Sequence, residues 1–147
     1  MPKIAISREL PYRAQQLFEI AADVERYPDF LPGWKSARIL QRKENAYLTD
    51  QIIGFGPITQ QFTTKTILRP PDEIAVTATE GPFSVFRLNW RFKTTQADRC
   101  RVTLDGQIEM RMALLRAVLN QAPNVFADST LMAFEARARQ LYAAAVR

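Results

Sequence analysis

The chain has 147 residues, 47% apolar and 24% charged, a size and make-up that suit one compact folded domain over residues 1–147 rather than a disordered or multidomain chain. No apolar run approaches the ~20 residues of a membrane-spanning helix, and Met1-Pro2-Lys3-Ile4 lacks the basic-then-apolar plan of a secretory signal. Cys100 stands alone, so an internal disulfide is excluded and a reducing, cytoplasmic setting is expected. Histidine is absent, which removes Ser-His and Cys-His catalysis and leaves no closed zinc site, so no metal site is expected. The net charge is +5, carried by 15 Arg and 5 Lys, and arginine forks suit phosphate.

Residues 3–8 read as an opening strand, and Pro11 as the first residue of a helix, where its missing N–H costs nothing. Leu17, Phe18, Ile20 and Ala21 give that helix an apolar side. Residues 23–34 form a turn-rich segment punctuated by Pro28, Pro32 and Gly33. Runs at 36–43, 46–53, 58–68, 73–79, 83–94 and 101–112 then alternate with separators too short for a parallel crossover. Neighbouring strands must therefore run antiparallel, as a meander.

Alternation assigns the faces. Phe86, Leu88, Trp90 and Phe92 share one side, with Arg87, Asn89, Arg91 and Lys93 on the other. Val102, Leu104, Gly106, Ile108 and Met110 repeat the dry side. The hairpin of the second and third runs is less regular. A Gly54-Phe55-Gly56-Pro57 connection pairs Thr49 with Phe62 and Leu48 with Thr63, which mixes the faces and suggests a bulge. Residues 114–120 suggest a short helical turn. After Pro123, Val125, Phe126, Leu131, Phe134, Ala138, Leu141, Tyr142 and Ala145 recur at helical spacing. About 23 residues of such a helix span ~35 Å, the length of an 11-residue strand, so the helix can lie along the dry face. The expected fold class is α+β, a helix-grip arrangement in which a curved antiparallel sheet of six to seven strands grips a long C-terminal helix.

Such a sheet encloses more space than one helix fills, and a pocket of about 300–1,000 Å³ is expected between them. Phe86, Leu88, Trp90, Leu104, Ile108, Phe126 and Phe134 are candidate lining residues, and the Trp90 indole N–H would seek a polar partner there. The segment from Tyr27 to Trp34, with Phe55, Lys35 and Arg38, suits a lid that touches an anionic membrane. Asp23 and Glu25 read as helix caps, and Asp105 and Glu109 as cross-strand partners of arginines. Asp50 is the acid whose face decides whether acid–base chemistry in the pocket is arguable. No glycine-rich phosphate loop is present.

Five markers in register carry a resemblance: Tyr27-Pro28-Asp29-Phe30-Leu31-Pro32, Phe62-Thr63-Thr64, Gly81-Pro82-Phe83, Leu88-Asn89-Trp90-Arg91-Phe92 and Ala133-Phe134-Glu135-Ala136-Arg137-Ala138. Together they resemble the coenzyme Q-binding START-like family of the polyketide cyclase/START superfamily, whose relatives include bacterial ribosome-association toxins. Quinone-binding members continue Phe-Leu-Pro with Trp-Cys and toxin-like members with Gly-Cys, whereas this chain reads Pro32-Gly33-Trp34-Lys35, sharing the glycine of the toxin-like form. The resemblance implies a non-catalytic carrier or chaperone for ubiquinone or a related prenylquinone, with no cofactor required. The bound ligand serves respiration or quinone biosynthesis, and contact with the inner membrane is transient and peripheral. Phe30, Leu31, Trp34 and Phe62 join the expected ligand-binding set. The other branch implies binding to the large ribosomal subunit and a block on subunit joining, and a cyclase-like enzyme is the third reading. DNA is not an expected partner.

Overall fold

The computed structural model describes the backbone of residues 3–55, 57–111, 113, 116 and 123–142; the side chains of 55, 58, 79 and 123–126 lie outside the description. Seven described strands form one antiparallel sheet: β1 (Lys3–Leu10), β2 (Trp34–Lys43), β3 (Ala46–Phe55), β4 (Ile58–Arg69), β5 (Glu73–Glu80), β6 (Phe83–Gln96) and β7 (Arg99–Met110). Their order is β1-β7-β6-β5-β4-β3-β2, a meander whose first strand closes beside the last. Among the described residues the helices are α1 (Ala14–Ala22), α2 (Tyr27–Phe30) and α3 (Pro123–Tyr142), with a 3-10 turn at Val24–Arg26. The α+β helix-grip expectation holds. The expected turn at 114–120 and the apolar positions Val125, Phe126 and Ala145 fall outside the described residues or side chains.

Helix α1 begins three residues later than Pro11 suggests. Arg13 is extended, at φ −76° and ψ 150°, and its backbone N–H donates to Gln16 Oε1 at 3.0 Å, so a glutamine in the first turn closes the helix start. Leu17, Phe18, Ile20 and Ala21 are buried as expected. Phe18 meets Phe92 edge-on with ring centroids 5.9 Å apart, which docks α1 on β6.

Both faces of β6 and β7 follow the alternation. Leu88, Trp90, Phe92, Val102, Leu104, Ile108 and Met110 are buried, while Arg87, Arg91 and Lys93 are exposed. Helix α3 buries Ala127, Leu131, Phe134 and Ala138, a stripe spaced four, three and four residues apart. Leu141 is not part of it. It is 44% exposed and edges a surface groove with Phe30 and Tyr142.

The β3–β4 hairpin corrects the expected register. Phe55 pairs with Ile58, so the connection is two residues long, and Thr49 faces Thr64 while Gln51 faces Phe62. No bulge interrupts this pair. The mixed polarity is real: the inner face carries Thr49, Gln51, Thr64 and Thr66, all buried, beside Tyr47, Ile53 and Phe62.

Candidate functional site

Between the sheet and α2–α3 lies an apolar hollow lined by Leu31, Trp34, Phe62, Phe86, Leu88 and Trp90, with Tyr27, Val76 and three polar residues, Gln51, Thr64 and Thr130. Its place is where the pocket was expected, and as the described residues bound it the hollow is small. The volume is about 30 Å³, room for a water molecule and far below the roughly 300–1,000 Å³ of a small-molecule site. Aromatic packing takes up the space. Phe62, Phe83 and Phe86 form a triad with centroids 4.8 to 5.7 Å apart, and Trp90 lies 5.0 Å from Phe134.

Of the expected binding residues, Leu31, Trp34, Phe62, Phe86, Leu88 and Trp90 come together at this hollow. Leu104, Ile108 and Phe134 are buried in the main core and are not among its lining residues. Phe30 is half-buried beneath Arg137, whose guanidinium carbon sits 5.4 Å from the ring centroid. The side chain of Phe126 is outside the described set.

The lid set divides as well. Tyr27 cannot touch a membrane from its place in this fold: it is buried, and its hydroxyl donates to the Ala21 carbonyl. Burial pushes its phenol well above the ordinary value. Lys35 is exposed, and Arg38 lies 3.9 Å from Asp50 on the outer face. The Phe55 side chain is outside the described residues.

A polar chain runs into the hollow. The indole N–H of Trp34 donates to Gln51 Oε1 at 2.7 Å, and Gln51 Nε2 donates to Thr49 Oγ1 at 3.0 Å and Thr64 Oγ1 at 2.9 Å. The two threonine hydroxyls bond to each other. The indole whose N–H meets a polar acceptor at this site is therefore that of Trp34, where the expectation was Trp90. Gln51, Thr64 and Thr130 were missed by the sequence reading because the dry face was expected to be apolar.

The acids sit elsewhere. Asp50 faces outward and accepts from Gln61 Nε2 at 2.7 Å, so it does not enter the hollow. Asp105 bonds Arg91 and Asn89 as expected, but Glu109 has one buried carboxylate oxygen without a partner among the described residues. Glu25 caps a strand edge rather than a helix, accepting the Ile39 N–H at 3.0 Å, and Asp23 makes no side-chain cap bond. Among the described residues no group of His, Cys, Asp or Glu could hold a metal ion. Cys100 is buried, and burial pushes its thiol up to about 11, which keeps it protonated and inert near neutrality. No described helix is long and apolar enough to cross a membrane.

A family model described as polyketide cyclase / dehydrase and lipid transport matches residues 10–135. The chain belongs to that family. Within it, the chain is 34% identical to the ribosome association toxin RatA of Pseudomonas aeruginosa, over 90% of this chain and 92% of that one. The mitochondrial coenzyme Q-binding protein of Drosophila melanogaster is 26% identical over 84% of this chain but only 52% of its own length. Among solved structures, the Zhui aromatase/cyclase from Streptomyces sp. R1128 superposes with a TM-score of 0.86 at 21% identity, covering 97% of this chain and 96% of that one. That likeness establishes the shared helix-grip fold and nothing about chemistry. The START-like resemblance read from the five sequence markers is therefore correct at the level of family and fold.

Proposed function

We propose that this chain is a non-catalytic protein that associates with the ribosome, binds its large subunit and hinders subunit joining, with no cofactor needed. The observation that carries this reading is the near end-to-end likeness to the ribosome association toxin of Pseudomonas aeruginosa. The size of the hollow as the described residues bound it, about 30 Å³, is in keeping with it. A non-catalytic role is supported by the lining: Tyr27 is its one titratable residue among the described ones, and burial holds that phenol protonated. Sucrose-gradient sedimentation tests the proposal. Purified protein added to dissociated subunits is expected to travel with the large subunit and to shrink the joined-ribosome peak. An unchanged profile, with the protein left at the top of the gradient, overturns it.

A second reading, a cytoplasmic carrier of ubiquinone or another apolar ligand that visits the inner membrane, is favoured by one observation. The hollow sits between sheet and terminal helix, and its wall is apolar apart from Gln51, Thr64 and Thr130. On this reading, Phe86 and Phe62 must swing aside to admit a ligand. Mass spectrometry of lipids co-purifying from the native host decides it: a stoichiometric prenylquinone peak supports the carrier, and its absence removes that reading.

A further inference from the structure

All five lysines, Lys3, Lys35, Lys43, Lys65 and Lys93, lie in strands, and among the described residues none is within ion-pair distance of a carboxylate. Most sheet arginines differ: Arg8, Arg38, Arg69, Arg91, Arg99 and Arg101 each meet an Asp or Glu, whereas Arg42 and Arg87 meet none among the described residues. Strand register arranges the unpaired cations. Lys65 pairs with Thr77, Thr77 with Arg87, Arg87 with Gln107, and Gln107 with Lys3. One row across the outer face therefore carries Lys65, Arg87 and Lys3 on alternate strands, about 9–10 Å apart, with no acid between them. Lys43 stands in the adjacent row through its pairing with Ala46, itself paired with Ile67. The carboxylates of Asp105 and Glu73 in neighbouring positions are already engaged by Arg91, and Glu109 holds one oxygen out of solvent.

We propose that this outer sheet face docks double-stranded RNA, a surface that rests on the ribosome reading for its choice of polyanion. Three unpaired cations in a row suit phosphates, which set position without sequence. Between them lie Thr77 and Gln107, side chains able to exchange hydrogen bonds with the 2′-hydroxyls of a wide, shallow minor groove. Single-stranded RNA would need aromatic platforms. Here the strand aromatics Trp34, Tyr47, Phe62, Phe86, Trp90 and Phe92 all pack into the two core clusters on the helix side, so that mode is absent among the described residues. The row left for the ligand is polar and cationic, with Ile67 exposed beside it.

The test uses the full chain, a fully paired RNA hairpin, isolated large subunits and anionic liposomes. Lys65→Gln/Arg87→Gln is compared with wild type and with Lys35→Gln, which lies outside the row. Both row residues are exposed, and circular dichroism checks that the variant folds. Wild type is expected to bind the hairpin with log K falling linearly in log salt. The double variant should lower that slope by about two and lose the large subunit, with Lys35→Gln unchanged. An unaltered slope overturns the proposal. If wild type binds the hairpin but not subunits, the RNA surface stands and the ribosome reading falls. If wild type and double variant sediment equally with subunits, the reverse holds. Loss of subunits in the variant with no hairpin binding by wild type points to a ribosomal protein and overturns the proposal, as does preference for liposomes over the hairpin.

Discussion

Trp34 on β2 and Gln51 on β3 hold each other through an indole N–H to amide oxygen bond of 2.7 Å, in a wall whose other polar members are Thr64 and Thr130. The bond fixes which way the Gln51 amide points, since its Nε2 then serves both Thr49 and Thr64. Gln51→Leu takes the amide acceptor from the half-buried indole and the amide donor from the buried Thr49 and Thr64, an expected loss of about 1–3 kcal/mol. Trp34→Phe/Gln51→Leu removes both partners, and its loss should fall short of the sum of the two single losses by about 1 kcal/mol. Urea denaturation of the four proteins measures this; additive losses contradict the coupling.

Arg8 ties the edge strand β1 to the terminal helix. Its two terminal nitrogens reach Asp128 at 2.9 Å and Glu135 at 3.1 Å, acids seven residues apart on α3. The guanidinium is about a third exposed, so its value is modest and salt-sensitive. Arg8→Met keeps the packed stem, and its expected cost is about 1 kcal/mol in dilute buffer. Thermal melts of both proteins should converge as salt rises toward about 1 M. A gap that persists at high salt assigns the effect to packing instead.

The sheet was legible wherever one face is wholly apolar. Phe86 to Phe92 and Val102 to Met110 declare their inner and outer sides by a period of two, and the structure agrees, with Phe86 half-buried rather than sealed. The β3–β4 pair defeated the same rule because its inner face is polar: Thr49, Gln51, Thr64 and Thr66 satisfy one another and Tyr47, so burial there leaves no hydrophobic signature. A two-residue turn, in place of the four-residue one, would have set Thr49 against Thr64. At the hollow, the period of two identifies which residues face inward but not how deep they sit. Leu104 and Phe86 share a pattern, yet Leu104 is sealed in the core while Phe86 lines the hollow. The outer row of cations was hidden for another reason: Lys3, Lys65 and Arg87 are far apart in the chain and become neighbours only through register.

Gly106 shows why one position of β7 lacks a side chain. A Cβ there would sit 1.9 Å from the Arg87 carbonyl oxygen and 2.9 Å from Leu88 Cα, both backbone atoms that cannot step aside. Gly106→Ala must push β6 from β7 at the point where Leu88 meets the hollow. A loss of about 2–3 kcal/mol is expected, as for overpacked sites. A denaturation midpoint equal to wild type would show that the two strands separate freely there.

Tyr47 makes the fold sensitive to alkali. Its hydroxyl donates to the Ala22 carbonyl at 2.7 Å, and burial pushes the phenol from an ordinary value near 10 up to about 12. A raised value means that the folded state prefers the protonated group, so the stabilisation is full below pH ~10 and disappears as pH climbs through ~12. Cys100, raised from 9.0 to about 11, acts in the same direction from pH ~9 upward. The phenol alone is expected to withdraw on the order of 2–3 kcal/mol across that window. Tyr47→Phe costs about 1 kcal/mol at neutral pH, through the lost hydrogen bond, but should flatten the alkaline decline. Urea midpoints taken from pH ~8 to ~11.5 follow both proteins. If their curves stay parallel throughout, Tyr47 is not the group that titrates.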